Sequence, residues 1–427
     1  MYNSCGNGWR SEIKLHLKQI VFEFAFQILD SKPALMPYDP TQDTIFPADL
    51  SLAHKEGGFS KKLTVTHQGV TWHDTVRFRQ ILELKHQCPD AKLVFGNTEI
   101  GLEIRQKGLR YRTFIGYRNA SDLRYARKTD AAITIGAGYS LAEMQDVIED
   151  YRDTVKESQR GILDAVCEML HWFAGIHVRS MANIAGNITT ASPISDLNQV
   201  WLAARAVLYV ESYSRGMKEV QMDEKFFVKY RTTRLQPDEV ITAITIPLLQ
   251  QHEYFRAYKQ AQRREDDIAI VNAAFWVKLD ENESKIEDCR LAFGGMAPTT
   301  VMALQTAKAL VGKPLTPCTL DCALDCLSTE ISLPPGVPGG MEKFRQTLCL
   351  SFLFKFFTEL CHKVGESKSM PNLDLSQDND VIRHTQIYND APSAQADSNP
   401  VHRPIQHLNA DIQVTGEAMY TDDIPVA

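Results

Sequence analysis

The chain of 427 residues is predicted to be α+β, in two successive parts, on three observations. Between residues 63 and 246 short strand-like runs alternate with helical runs, whereas between 255 and 364 two long strands precede three helices. The third observation is a pair of loops, KLVFGNTEIGLE at 92–103 and VRSMANIAGNITTASPISDLN at 178–198. Each breaks an apolar or β-branched run with Gly, Asn, Thr, Ala or Ser and leaves main-chain N–H groups uncovered. Successive free amides form nests that bind phosphate oxygens, and glycine lets the backbone approach an anion closely. Two nests fit the two ends of a pyrophosphate. The chain therefore reads as a dinucleotide-cofactor protein, with FAD the expected cofactor.

Taken in order, the first 35 residues have weak helical character, and MPYDPTQDTIFPADL at 36–50 is an extended connector rich in Pro and Asp. Residues 63–71 alternate as a strand and 75–86 follow as a helix, before the first nest at 94–100. Residues 131–136 read as a buried strand ending in Gly-Ala-Gly. A helix opens at Ser140, where Ser140 and Glu143 have the spacing of a capping box. The Gly136-x-Gly138 pair lacks the third glycine of a Rossmann fingerprint, Leu141 standing there, so these are turn glycines only. A helix at 161–173 leads to the second nest, 201–211 continues as apolar structure, and Gln236-Pro-Asp-Glu239 turns into a strand at 240–246. The second part begins near 255, with strands at 268–279 and 286–293 and helices near 299–310, 320–330 and 341–364. Residues 365–405, rich in Ser, Asp, Asn and Pro without periodicity, read as a disordered linker.

Composition excludes several classes. A net charge of −7 and no basic stripe argue against nucleic acid as a partner. The run at 20–29 is too short to span a bilayer, and Lys355 and Glu359 make 344–360 a buried helix, so no membrane partner is expected. Nine cysteines at irregular spacing do not form a disulfide framework. Cys318, Cys322 and Cys326 fall on one helix face but lack a fourth ligand, so they are expected to be buried helix cysteines and no metal is assigned.

Seven strings together resemble the flavoprotein portion of the xanthine dehydrogenase group of molybdenum hydroxylases. They are ALMPYDPTQ from Ala34, KLVFGNTEIGLE from Lys92, WFAG from Trp172, GNITTASPISDLN from Gly186, KQAQRREDDIA from Lys259, AFGGMA from Ala292 and GEAMYTDDIP from Gly416. The resemblance implies a two-subdomain FAD-binding domain of the PCMH, or vanillyl-alcohol-oxidase, type at 63–247. A C-terminal α+β domain like that of CO dehydrogenase flavoproteins would follow at 255–365. Residues 1–62 would be an N-terminal segment and connector, 366–406 a linker, and 407–427 the opening of a molybdopterin domain.

By the same resemblance Leu93, Val94, Phe95, Gly96, Asn97, Thr98, Glu99 and Ile100 would wrap the FAD pyrophosphate and ribityl chain. Phe173 would contact the cofactor, and Asn183, Ile184, Ala185, Gly186 and Asn187 would close over the phosphates. Asp196 would fix a polar group, with Leu235 and Lys259 close to the flavin ring. Taken singly, Asp196 is a helix N-cap, Lys259 a solvated lysine, Phe173 core and 263–267 a surface loop. Only the joint arrangement carries the functional reading. No catalytic side chain is assigned, because the flavin carries the redox chemistry.

The resemblance further implies that reduced FAD passes electrons to NAD⁺ or O₂, in a cytoplasmic or peroxisomal protein of purine metabolism that is a homodimer at full length. Ala185 and Asn183 depart from the family, which has a second glycine and a small hydroxyl residue there. The family's [2Fe–2S] and molybdopterin domains are expected to be absent. The chain alone would then reach at most flavin-dependent NADH:acceptor activity and would not hydroxylate xanthine. The competing expectation is a non-catalytic fragment, or an incomplete gene product, that keeps the fold and has lost flavin.

Overall fold

The computed structural model describes residues 47–56, 61–365, 392–396, 398–403 and 407–424. The chain divides into a compact unit of residues 56–377 and a second unit of residues 1–55 with 378–427. The second unit's described elements are α1 (Ala48–Lys55), where the connector was expected, a six-residue helix, Ala410–Thr415, and a 3-10 turn, Thr421–Asp423. Most of the expected N-terminal segment and linker lies outside the described residues.

The large unit opens with β1 (Leu63–His67) and β2 (Val70–Asp74), an antiparallel hairpin where one strand was expected. Gln68 and Gly69 take left-handed backbone at its tip, which a single alternating pattern does not reveal. Next come α2 (Phe78–Gln87), β3 (Lys92–Val94), α3 (Ile100–Arg105) and β4 (Thr113–Gly116). These strands form a four-stranded sheet, order β1-β2-β4-β3, in which β4 runs parallel to both neighbours. Ile81, Leu82 and Leu84 of α2 bury against Ile115 and Leu123 to make its core.

The next layer starts with β5 (Ala126–Lys128) and β6 (Ala132–Gly136), then α4 (Leu141–Arg152) and α5 (Gly161–His171). The predicted capping box is present: Glu143 N–H donates to Ser140 Oγ at 3.2 Å and Ser140 N–H to Glu143 Oε2 at 2.8 Å. Short helices α6 (Ile176–Arg179), α7 (Ile184–Thr190) and α8 (Asn198–Ala204) precede β7 (Val207–Ser212) and β8 (Gly216–Gln221). The small pair β9 (Phe227–Lys229) and β10 (Thr232–Thr233) leads to β11 (Val240–Pro247). Strands β5-β6-β11-β7-β8 form an antiparallel sheet whose inner face packs on α5 and α8. Gly136 is more than a turn residue, because a Cβ there would lie 2.2 Å from the Leu123 carbonyl oxygen.

The remaining sheet is β12 (Glu253–Ala261), β13 (Ala269–Leu279), β14 (Ile286–Gly294) and β15 (Val301–Met302), antiparallel in that order. It has four strands where two were expected. Helices α9 (Leu304–Leu310), α10 (Pro317–Glu330) and α11 (Glu342–Lys363) cover one face, with Phe275, Phe293, Phe352 and Phe356 in the core between. The opposite face, through Ala274, Trp276 and Ala292, joins the core of the preceding layer. Cys318 and Cys322 are exposed and Cys326 is half-buried, which corrects the expectation of buried cysteines. Residues 320, 323 and 327 face inward instead, and the thiol stripe is offset from that face.

Candidate functional site

A cleft of about 930 Å³ opens where the loop after β3, the segments around α6 and α7, and residues 263–269 meet. Its size is that of a cofactor site. The chain leaves β3 at Val94 and turns through 95–99 into α3, with Asn97 in left-handed backbone at φ 59°. The N–H groups of Gly96, Asn97, Thr98 and Glu99 have no acceptor among the described residues. Four consecutive free amides beside a cleft have the make-up of an anion nest. Gly96 serves a different purpose from the one expected. A Cβ there would lie 1.8 Å from the Met181 carbonyl oxygen, so the glycine lets this loop lie against the next one.

The second loop is capped and keeps two free amides among the described residues, those of Ile184 and Ala185. Asn183 is the N-cap of α7: its Oδ1 accepts from Gly186 N–H at 2.9 Å and its carbonyl from Asn187 N–H at 3.0 Å. Asn183 Nδ2 donates to Ala137 O at 2.7 Å and to Tyr117 Oη at 2.9 Å, tying the loop to the ends of β6 and β4. Ala185 sits in the first turn of that helix, buried and outside the left-handed region. Its methyl therefore forces no strain.

Asp196 is buried, and its Oδ2 accepts from Lys259 Nζ at 2.7 Å. Lys259 also donates to the Trp172 carbonyl at 2.7 Å, and its side chain is only 7% exposed. Neither bland expectation fits these positions: the N-cap of α8 is Leu197, and the lysine is not solvated. Asp196 Oδ1 is buried and accepts no well-formed hydrogen bond among the described residues, the nearby Asn272 amide acting on the carboxyl only weakly. Burial pushes the Asp196 carboxyl up to about 6, against the opposing pull of the Lys259 ammonium.

Of the residues singled out from the sequence, Leu93, Phe95, Gly96, Asn97, Thr98, Glu99 and Ile100 line the cleft. Phe173, Asn183, Ala185, Gly186, Asn187, Asp196 and Leu235 line it as well. Val94 and Ile184 do not, being buried in hydrophobic cores, and Lys259 acts from behind Asp196. Sequence reasoning missed Tyr117, Lys85 and Arg231. Tyr117 is buried beside Asn183, and burial raises its hydroxyl to about 12. Lys85 donates to the Pro89 and Ala91 carbonyls, and burial lowers its ammonium to about 8. Arg231, in left-handed backbone, pairs with Glu99 next to the free amides. None of the three belongs to a small-residue run, so no local signal exposed them. Among the described residues no His, Cys, Asp and Glu group could hold a metal ion, and no helix is long and apolar enough to cross a membrane.

Comparison with known proteins adds the following. Residues 66–249 match the FAD binding domain in molybdopterin dehydrogenase, and residues 256–360 the CO dehydrogenase flavoprotein C-terminal domain. The chain is 38% identical over 402 residues to xanthine dehydrogenase/oxidase of Gallus gallus, covering 91% of this chain and 29% of that protein. It is 40% identical over 400 residues to the Mus musculus protein of the same name, covering 91% and 30%. The chain thus spans under a third of these relatives. Among solved structures, carbon monoxide dehydrogenase from Hydrogenophaga pseudoflava superposes with a TM-score of 0.58 at 21% identity, over 68% of this chain and 96% of that one. Quinoline 2-oxidoreductase from Pseudomonas putida 86 does so with a TM-score of 0.58 at 18% identity, over 70% and 99%. These two likenesses establish a shared α+β fold.

Proposed function

The chain belongs to the molybdenum hydroxylase family, as its xanthine dehydrogenase-like flavoprotein portion, and we propose that its cleft holds FAD for electron transfer to NAD⁺ or O₂. The observation that carries this reading is the complementarity of two unmet needs along one cleft. The free amides of residues 96–99 lack an anion, and Asp196 Oδ1 lacks a well-formed hydrogen bond among the described residues. A flavin dinucleotide offers both chemistries, phosphate oxygens and polar N–H or O–H groups. When bound, FAD supplies reversible one- and two-electron redox chemistry.

The protein's share is position and electrostatics. The amides of 96–99 would take phosphate oxygens, with Arg231 adding positive charge beside them. Asp196, oriented by Lys259, would accept a hydrogen bond from the cofactor, and Phe173 and Leu235 would give it apolar contact. Arg263, Asp266 and Asp267 border the cleft and would tune both the flavin's potential and the approach of an acceptor. NAD⁺ as co-substrate, purine metabolism, a cytoplasmic location and a homodimer are proposals that rest on likeness to the larger relatives. Domain limits of 63–247 and 255–365, with a molybdopterin portion beginning near 407, are proposed on the same ground.

The test is to purify the chain, record its visible spectrum and quantify flavin released by heat. Bands at roughly 370 and 450 nm with near-stoichiometric FAD are expected, followed by bleaching with NADH. A folded, colourless protein that takes up no added FAD refutes the reading.

A further inference from the structure

A second cavity, of about 300 Å³, lies between the five-stranded sheet and the β12–β15 sheet and shares no lining residue with the cofactor cleft. Its floor is Arg290 of β14, whose guanidinium carbon stands 3.7 Å from the ring centroid of Trp276, the residue directly across on β13. Stacking on an indole leaves the edges of a guanidinium available for in-plane hydrogen bonds. Those edges are unmet: Nε and Nη1 of Arg290 are buried with no hydrogen-bond partner among the described residues. Buried charged donors left unpaired are costly, so the site is poised for an acceptor.

The second cation comes from α8. Arg205 is its C-cap, in left-handed backbone at φ 53°, and its exposed side chain makes no ion pair among the described residues. Burial first, and the charge of Arg205 second, hold the Arg290 guanidinium down at about 10. Glu253 also borders the cavity but pairs with neither arginine among the described residues, its Oε2 accepting from Gln250 N–H at 2.9 Å. Two arginines thus face one cavity, and Asp288 and Glu253 attract Arg290 only through space, without an ion pair to it among the described residues. The rest of the wall is mixed: Ile162, Ala204, Pro247 and Leu248 make an aliphatic side, and the Gln221 and Gln250 amides stand beside it.

We propose that this cavity is a binding site for a small organic carboxylate, its anionic end on Arg290 and Arg205 and its apolar body against the aliphatic wall. Planar carboxylate geometry suits a flat guanidinium, and the aliphatic wall favours an organic body over a bare inorganic oxyanion. The site is separate from the flavin and does not depend on it.

The full chain, saturated with FAD, would be titrated by calorimetry with benzoate and separately with inorganic phosphate. The expected result is saturable benzoate binding, weakened at least tenfold in Arg290→Gln and several-fold in Arg205→Gln, with flavin content unchanged in both. Arg205→Gln, at an exposed position, keeps the test valid if the buried substitution unfolds the protein. Saturable phosphate binding with no response to benzoate overturns the carboxylate assignment. The absence of saturable binding by either probe overturns the site itself, as does benzoate binding that neither substitution weakens.

Discussion

Replacing Asp196 with Asn tests the centre of the cofactor reading. In the protein without ligand, Asp196 Oδ1 is buried without a well-formed hydrogen bond among the described residues, while Oδ2 holds Lys259 at 2.7 Å. An unsatisfied buried acceptor costs about 1–3 kcal/mol, which a cofactor donor would return on binding, so this one contact is worth roughly 5- to 150-fold in FAD affinity. An Asn side chain can still accept from Lys259 with its oxygen, but its NH₂ then faces the cleft and repels the donor that Oδ1 would accept. Asp196→Asn should weaken FAD about 10- to 100-fold, measured by quenching of FAD fluorescence, with near-native circular dichroism. The pH dependence has a definite sign. The free carboxyl titrates at about 6, and a donor on the cofactor selects the ionised form, so the loaded protein binds fewer protons. Affinity should be flat above pH 6 and fall by up to about tenfold for each unit below it. The Asn variant should lose that dependence. Equal affinity for both proteins, or a wild-type profile that is flat down to pH 5, would show that Asp196 does not contact the flavin.

Gly96→Ala should be far more harmful than Gly101→Ala. The first places a Cβ 1.8 Å from the Met181 carbonyl, whereas the second meets nothing closer than Asn97 Nδ2 at 3.6 Å. A loss of at least ~2 kcal/mol in thermal stability and FAD affinity is expected for Gly96→Ala, and no loss for the helical Gly101→Ala. Ser140→Ala should cost about 1 kcal/mol by removing the cap of α4, read from the urea midpoint. Its partner Glu143 is held at about 2 by Arg124, so its contribution is present above 4.5, its ordinary value, and is lost as pH falls through 2. Glu143→Gln should therefore reduce acid sensitivity between those limits, and an unchanged acid-unfolding curve would contradict the pairing. Finally, Cys88, Cys318 and Cys322 should react with a thiol reagent in the folded protein while Cys167, Cys289, Cys349 and Cys361 stay protected; peptide mapping that finds Cys318 and Cys322 protected would disprove the placement of α10.

The sequence exposes features whose cause is local. Ser140-x-x-Glu143 makes its capping box within one turn, and the near-continuous apolar run from 269 to 279 shows a strand that is buried on both faces. Glycine at 96 also stands out, yet its reason lies 85 positions away along the chain, at Met181. The second loop is only partly legible for a related cause. Asn183 reads as a small polar loop residue, and only the placement of Tyr117 and Ala137 turns its amide into a cap with every donor used. The thiols of α10 fail in the opposite direction, since their spacing marks a face without saying whether that face meets the core. Lys85 and Arg231 gain their position at the cleft wholly from tertiary packing.

The Asp196–Lys259 pair carries a consequence for how the flavin site is assembled. Asp196 belongs to the stretch matching the FAD-binding domain, and Lys259 to the stretch matching the flavoprotein C-terminal domain. Lys259 also holds the Trp172 carbonyl, next to Phe173 at the cleft wall, so one ammonium orders two separate parts of the binding site. Removing it would leave a buried carboxylate with neither oxygen satisfied, a loss of about 3–5 kcal/mol by the cost of breaking a buried pair. The first domain's own nest of amides would not offset that loss, because on the proposed reading it would meet the phosphates and leave Asp196 untouched. On this reading the C-terminal sheet would belong to the cofactor site: a stretch ending near residue 249 lacks Lys259 and also Phe255, Trp276 and Ala292 of the shared core, and should bind FAD poorly, whereas the chain extended through α11 should bind it.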